Sequence, residues 1–107
     1  MEYIAVYTTL PDEESARKIA RKMVEERLVA CVNFFPIKSV YHWKGGIEED
    51  EEYVLLMKTR KELYPKVEKR LRDLHPYEVP AIVSYKIERG LKEYLTWIEN
   101  TTEVNNE

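Results

Sequence analysis

The chain opens on an extended pattern. Between residues 2 and 9, Ile4 and Val6 alternate with neighbours that include aromatics, which predicts a strand. Pro11 and Asp12 then break it, and Asp12 with Glu13 and Glu14 reads as an N-cap with acids in the first helical turn. Here the period changes. Ala16, Ile19, Ala20, Met23, Val24 and Leu28 step by three and four, while Arg17, Lys18, Arg21, Lys22, Glu25 and Glu26 fill the other face, so a helix with a core-facing stripe is predicted to about Leu28. Two long extended segments, 30–43 and 47–59, meet across Lys44-Gly45-Gly46, whose glycines permit the positive φ of a tight hairpin. A second amphipathic helix follows to Leu74, with Leu63, Tyr64, Val67, Leu71 and Leu74 on one face and Pro65 tolerated in the first turn. A strand over 81–87 and a short helix over 91–100 complete the pattern, and residues 101–107 are expected to fray. The order β-α-β-β-α-β plus a terminal helix predicts an α+β, ferredoxin-like fold over residues 1–107 as one domain.

The hairpin is longer than a domain of this size needs. Arms of about 13 residues reach roughly 40 Å at the strand rise, about twice an ordinary strand. Tyr41, Trp43 and Tyr53 near its tip are more economically explained by burial against another subunit than by exposure, so oligomerisation is expected.

Composition narrows the classes. No run of 18 apolar residues exists, and Met1-Glu2-Tyr3-Ile4 enters a strand at once rather than a signal peptide, so a cytoplasmic protein is expected. The one cysteine, Cys31, agrees with that and forms no intrachain disulfide. A net charge of −3 with mixed signs argues against nucleic acid as a partner, and nothing favours a membrane. Charged residues reach 35% and glutamine is absent, a balance suited to ion-pair networks at high temperature and hence to a thermophile source.

The chemistry concentrates in His75-Pro76-Tyr77-Glu78-Val79-Pro80. Two prolines hold an imidazole, a phenol and a carboxylate at a helix-to-strand corner. His75 has two readings there, a functional imidazole or a cation capping the helix C-terminus. The acidic run Glu48-Glu49-Asp50-Glu51-Glu52 reads as a solvated hairpin edge, because alternate strand residues point to opposite faces and cannot converge on one ion. Cys31 reads first as a small hydrophobe and second as a ligand. No Gly-rich phosphate loop and no hydrolase signature is present, so no enzyme activity is expected.

Taken in order, Thr9-Leu10-Pro11, Leu28-Val29-Ala30-Cys31-Val32-Asn33, Ser39-Val40-Tyr41-His42-Trp43-Lys44-Gly45, Lys58-Thr59, the His75 to Pro80 motif and Tyr94-Leu95-Thr96-Trp97-Ile98 resemble the CutA divalent-cation-tolerance proteins over nearly the whole chain. The resemblance implies a homotrimer with the layout of PII signalling proteins and a role in tolerance to copper and other divalent metal ions. Some bacterial members bind copper through a cysteine at the end of the first strand and paired histidines before the proline. Here those places read Tyr7-Thr8 and Leu74-His75, and Ala81 stands where glutamate is common. Metal ligands are accordingly expected at His75, Glu78 and Cys31, with His42 as a replacement imidazole. The alternative is a PII-like signalling or small-ligand binding module whose inter-subunit clefts are lined by Tyr41, Trp43, Lys58 and Tyr77, with Lys58 supplying the cation for an anion.

Overall fold

The computed structural model describes residues 1–103. Strand β1 (Tyr3–Leu10) leads to helix α1 (Glu13–Glu25), the hairpin strands β2 (Cys31–Trp43) and β3 (Gly46–Arg60), a 3-10 turn over Lys61–Leu63, helix α2 (Tyr64–Leu74), strand β4 (Ile82–Ile87) and helix α3 (Lys92–Thr101). The strands form one antiparallel sheet in the order β2-β3-β1-β4. This is the ferredoxin-like α+β arrangement that the element order predicts.

Register sorts the side chains by face. Ile4, Val6, Thr8 and Leu10 of β1 lie level with Thr59, Met57, Leu55 and Tyr53 of β3, and this face packs against the apolar stripes of α1 and α2, including Ala16, Ile19, Met23, Val67 and Leu71. The stripe at helical spacing is therefore core, as its period implies. Helix α3 covers one end of the opposite face, where Tyr3 donates to Glu99 at 3.1 Å and Ile98 is fully buried.

Boundaries differ where a local device overrides the period. Asp12 caps α1 by accepting from the Ser15 amide at 2.8 Å, but the helix stops at Glu25, not near Leu28. Arg27 takes φ 60 and turns the chain, so Leu28 still completes the buried stripe from outside the helix, its amide bonded to the Met23 carbonyl at 3.1 Å. The tail expected to fray from Thr101 is held at its start. Thr101 ends α3, and Thr102 is 2% exposed, its hydroxyl donating to the Ile98 carbonyl and accepting from Arg60 Nε at 2.9 Å. The rest of that expectation, residues 104–107, lies outside the described residues.

Only Tyr53–Arg60 of β3 pairs with β1. Beyond Glu52 the two arms pair with each other alone, and this projection, about 20 Å long at the strand rise, helps give the molecule its 45 Å long axis. At its tip Lys44 and Gly45 both take positive φ, 50° and 79°, the conformation of a two-residue hairpin turn.

Candidate functional site

The corner after α2 is built by its prolines. Pro76 forces His75 into extended backbone, φ −76 and ψ 134, and the helix ends there. The ring does not cap the helix as a cation. Instead Nδ1 accepts the Tyr77 amide at 3.2 Å, and Nε2 lies 3.0 Å from Oγ1 of Thr8, which is wholly buried in β1. An amide N–H can only donate, so Nδ1 carries no proton and the hydrogen sits on Nε2, directed at Thr8. Burial lowers the His75 pKa from its ordinary value, with weaker opposing effects from the Thr9 backbone and the Glu52 carboxylate. The geometry and the electrostatics agree on a neutral imidazole.

Two carboxylates of the acidic run extend this corner. Glu52 accepts the Tyr77 hydroxyl at 2.7 Å, and Asp50, two residues along β3 on the same face, accepts the Tyr41 hydroxyl. Burial, reinforced by Glu52, raises the Tyr77 pKa. The bond to Asp50 is the main cause that pushes Tyr41 up to about 12. Both phenols therefore stay protonated donors at neutral pH. The acidic run is in part a set of hydrogen-bond acceptors, not only a solvated edge.

The other expected residues lie elsewhere. Cys31 and Lys58 pair across β2 and β3 on the sheet face that carries α3. The Cys31 sulfur sits 3.3 Å from the Tyr94 hydroxyl, and burial followed by this contact moves Tyr94 up to about 12. Lys58 Nζ is held by Asn33 Oδ1. Tyr41 lies ten residue steps along β2 from Cys31, about 33 Å at the strand rise, so one chain does not bring Lys58 to the Tyr41, Trp43 and Tyr77 end. Glu78 is exposed on the corner, and Trp43 and His42 are exposed at the hairpin tip.

These placements decide how a metal fits. His75, Cys31 and Glu78 do not converge, and both ring nitrogens of His75 are engaged inside the protein. Among the described residues no group of three or more His, Cys, Asp or Glu side chains is placed to hold an ion. The ligand set expected from the sequence is thus not assembled by a single chain. Thr8, Asp50, Glu52 and Tyr94, which organise these residues, escape sequence reasoning, because their roles arise from contacts across 9 to 67 positions.

Apolar side chains are exposed on two parts of the described surface. Phe35, Val83 and Tyr85 are exposed on the sheet face beyond α3, where Tyr94 and Trp97 stack at 5.7 Å, and Val40, Trp43 and Ile47 are exposed on the hairpin. Trp43 is 56% and Tyr85 57% exposed. An aromatic sheet face and a projecting hairpin of this kind have the exposed apolar character that association surfaces share.

No described helix is long and apolar enough to cross a membrane. Residues 4–101 match the family described as CutA1 divalent ion tolerance protein. The Thermus thermophilus protein named divalent-cation tolerance protein CutA is 49% identical over 98 residues, spanning 91% of this chain and 95% of its own. Among solved structures, CutA1 from Oryza sativa superposes with a TM-score of 0.95 at 36% identity, covering 98% of this chain and 97% of that one. The protein from Archaeoglobus fulgidus described as periplasmic divalent cation tolerance protein CutA gives 0.92 at 44% identity, covering 94% and 99%.

Proposed function

The chain belongs to the CutA1 divalent ion tolerance family, and on that footing we propose that it serves divalent-cation tolerance as a cytoplasmic homotrimer with no catalytic step of its own. The observation that carries this reading is the exposed apolar face with its projecting hairpin, which water leaves unstable and neighbouring copies of the chain would bury. Beyond Glu52 the two hairpin arms pair only with each other, so among the described residues their outer edges have no partner strand and a neighbour's backbone can satisfy them.

The ion, copper(II) included, is in this reading met by donors that different subunits bring together, because the described residues of one chain assemble no ligand set. Imidazole suits copper-type ions. His75 has spent both nitrogens, whereas His42 stands exposed near the hairpin tip and is the imidazole left for that contact.

Size exclusion with light scattering tests the assembly and should give three times the 12.8 kDa chain mass, unchanged by dilution into the nanomolar range. Calorimetry with copper(II) at pH 7.5 tests the ion contact, and His42→Asn should weaken binding at least tenfold. A monomer would remove the first part of the reading, and copper affinity unchanged in that variant the second.

A further inference from the structure

Helix α3 is fastened unequally at its two ends. It follows an extended link, 88–90, and Leu91 opens it from φ −60 and ψ 129 with no side-chain cap. Ile98 is its single buried side chain. The residues that close the helix are held quite differently, because three cations from three separate elements converge on them. Arg27, in the turn after α1, donates to the Thr101 carbonyl at 3.1 Å. The buried Arg60, at the end of β3, donates to Thr102 at 2.9 Å and to the Glu103 carbonyl, and Lys66, in the first turn of α2, pairs with the Glu103 carboxylate at 2.8 Å. Arg27 serves twice, since its left-handed backbone, φ 60, also presents its carbonyl to the Glu103 amide at 2.7 Å.

We propose that α3 is a strap, hinged at 88–90 and clasped at 99–103, which opens as a unit while the sheet and the helices α1 and α2 stay folded. Its backbone bonds close within the helix, from the Leu95 amide to Leu91 at 3.0 Å through the Thr102 amide to Ile98 at 3.2 Å, so the strap can lift without breaking a strand pair. Little apolar burial opposes the motion. What opposes it is the clasp, because opening strips Arg60 of Thr102 and Glu103 and leaves it only Glu62, at 2.8 Å. The hinge is built for close approach. A Cβ at Gly90 would stand 3.0 Å from the Leu95 side chain, so glycine lets the link lie directly against the helix it carries. Opening parts the Tyr94 hydroxyl from the Cys31 sulfur, now 3.3 Å apart, and uncovers the end of the sheet face beneath.

The test is native-state hydrogen exchange on the intact protein, in urea raised stepwise to just below the unfolding transition. Amides 95–102 should exchange through one shared opening, about tenfold or more frequent than the opening that limits β1, and with a smaller urea slope because less surface is exposed. Arg27→Gly keeps the left-handed turn and its carbonyl but deletes the guanidinium that holds Thr101. Lys66→Met deletes the partner of the Glu103 carboxylate. Each should speed exchange in α3 by about threefold or more and leave β1 unchanged. Arg60→Met should have the largest effect on α3, and where it fails to fold the other two variants decide. The strap is overturned if amides 95–102 share the opening and urea slope of β1. It is overturned equally if both clasp variants leave α3 exchange unaltered, or speed α3 and β1 alike.

Discussion

Thr8 and His75 stand 67 positions apart in sequence and meet at 3.0 Å between Oγ1 and Nε2, with Thr8 wholly buried in the central strand β1. The hydroxyl is the acceptor that makes a half-buried imidazole tolerable. Thr8→Val keeps the shape and deletes the acceptor, leaving a buried N–H unpaired. It should lower stability by about 1–3 kcal/mol, while Thr8→Ser stays near the parent. Denaturant unfolding at pH 8 and fixed protomer concentration measures both. Equal losses in the two variants would show that packing of the methyl, not the hydrogen bond, sets the requirement for threonine.

Arg60 should make the chain end indispensable. Its side chain is buried, with Nη1 2.8 Å from Glu62, Nε donating to Thr102 at 2.9 Å and Nη2 donating to the Glu103 carbonyl. Thr102→Val removes an acceptor from a buried cation, and hydrogen bonds to charged groups contribute about 1.5–3 kcal/mol. A loss in that range is expected in urea unfolding. No loss would mean that residues 101–103 fray in solution.

Stability should fall in acid through His75. Its folded pKa is lowered by burial, so between that value and the unfolded 6.5 the unfolded chain binds the extra proton, and stability rises with pH across this window. The contribution is therefore complete above pH 6.5 and shrinks as pH drops below it. Melting temperatures taken from pH 8 to 5 should show the decline, and His75→Asn should flatten it relative to its own value at pH 8. A parent curve that rises toward acid instead would mean that the ring works as a capping cation.

The hairpin turn offers a test of backbone conformation alone. Gly45 has φ +79 with open space where a Cβ would stand, so Gly45→Ala meets no neighbour but must adopt a left-handed conformation costing about 1–2 kcal/mol. Gly46 needs no positive φ, and a Cβ there meets only the Trp43 carbonyl at ordinary contact distance, 3.8 Å. Gly46→Ala should then be far milder. Thermal unfolding of the pair separates the two, and equal effects would contradict the turn geometry.

Periodicity carried most of the fold, because each element writes its buried face into its own sequence. Ala16, Ile19 and Met23 announce α1, and Ile4 and Val6 announce β1, through spacing set by backbone geometry alone. Pro76 likewise announces the corner, since it excludes helix for the residue before it whatever surrounds it. Leu28 shows where periodicity misleads. It completes a helical stripe yet lies past the helix end, because the stripe records burial and the turn depends on the conformation of Arg27.

The sequence by itself determined the element order, the sheet's apolar face, the tight hairpin turn and the presence of polar chemistry at His75 and Tyr77. Each of these follows from residues within a few positions of one another. Only the tertiary structure decided what those residues do. Thr8 engages one ring nitrogen of His75, Glu52 takes the Tyr77 hydroxyl, Tyr94 meets Cys31, and the sheet sets Cys31 and Lys58 apart from the corner. The physical reason is that donors, acceptors and metal ligands act over about 3 Å, and across 25 to 67 positions such proximity is set by strand register and packing, which no local spacing records.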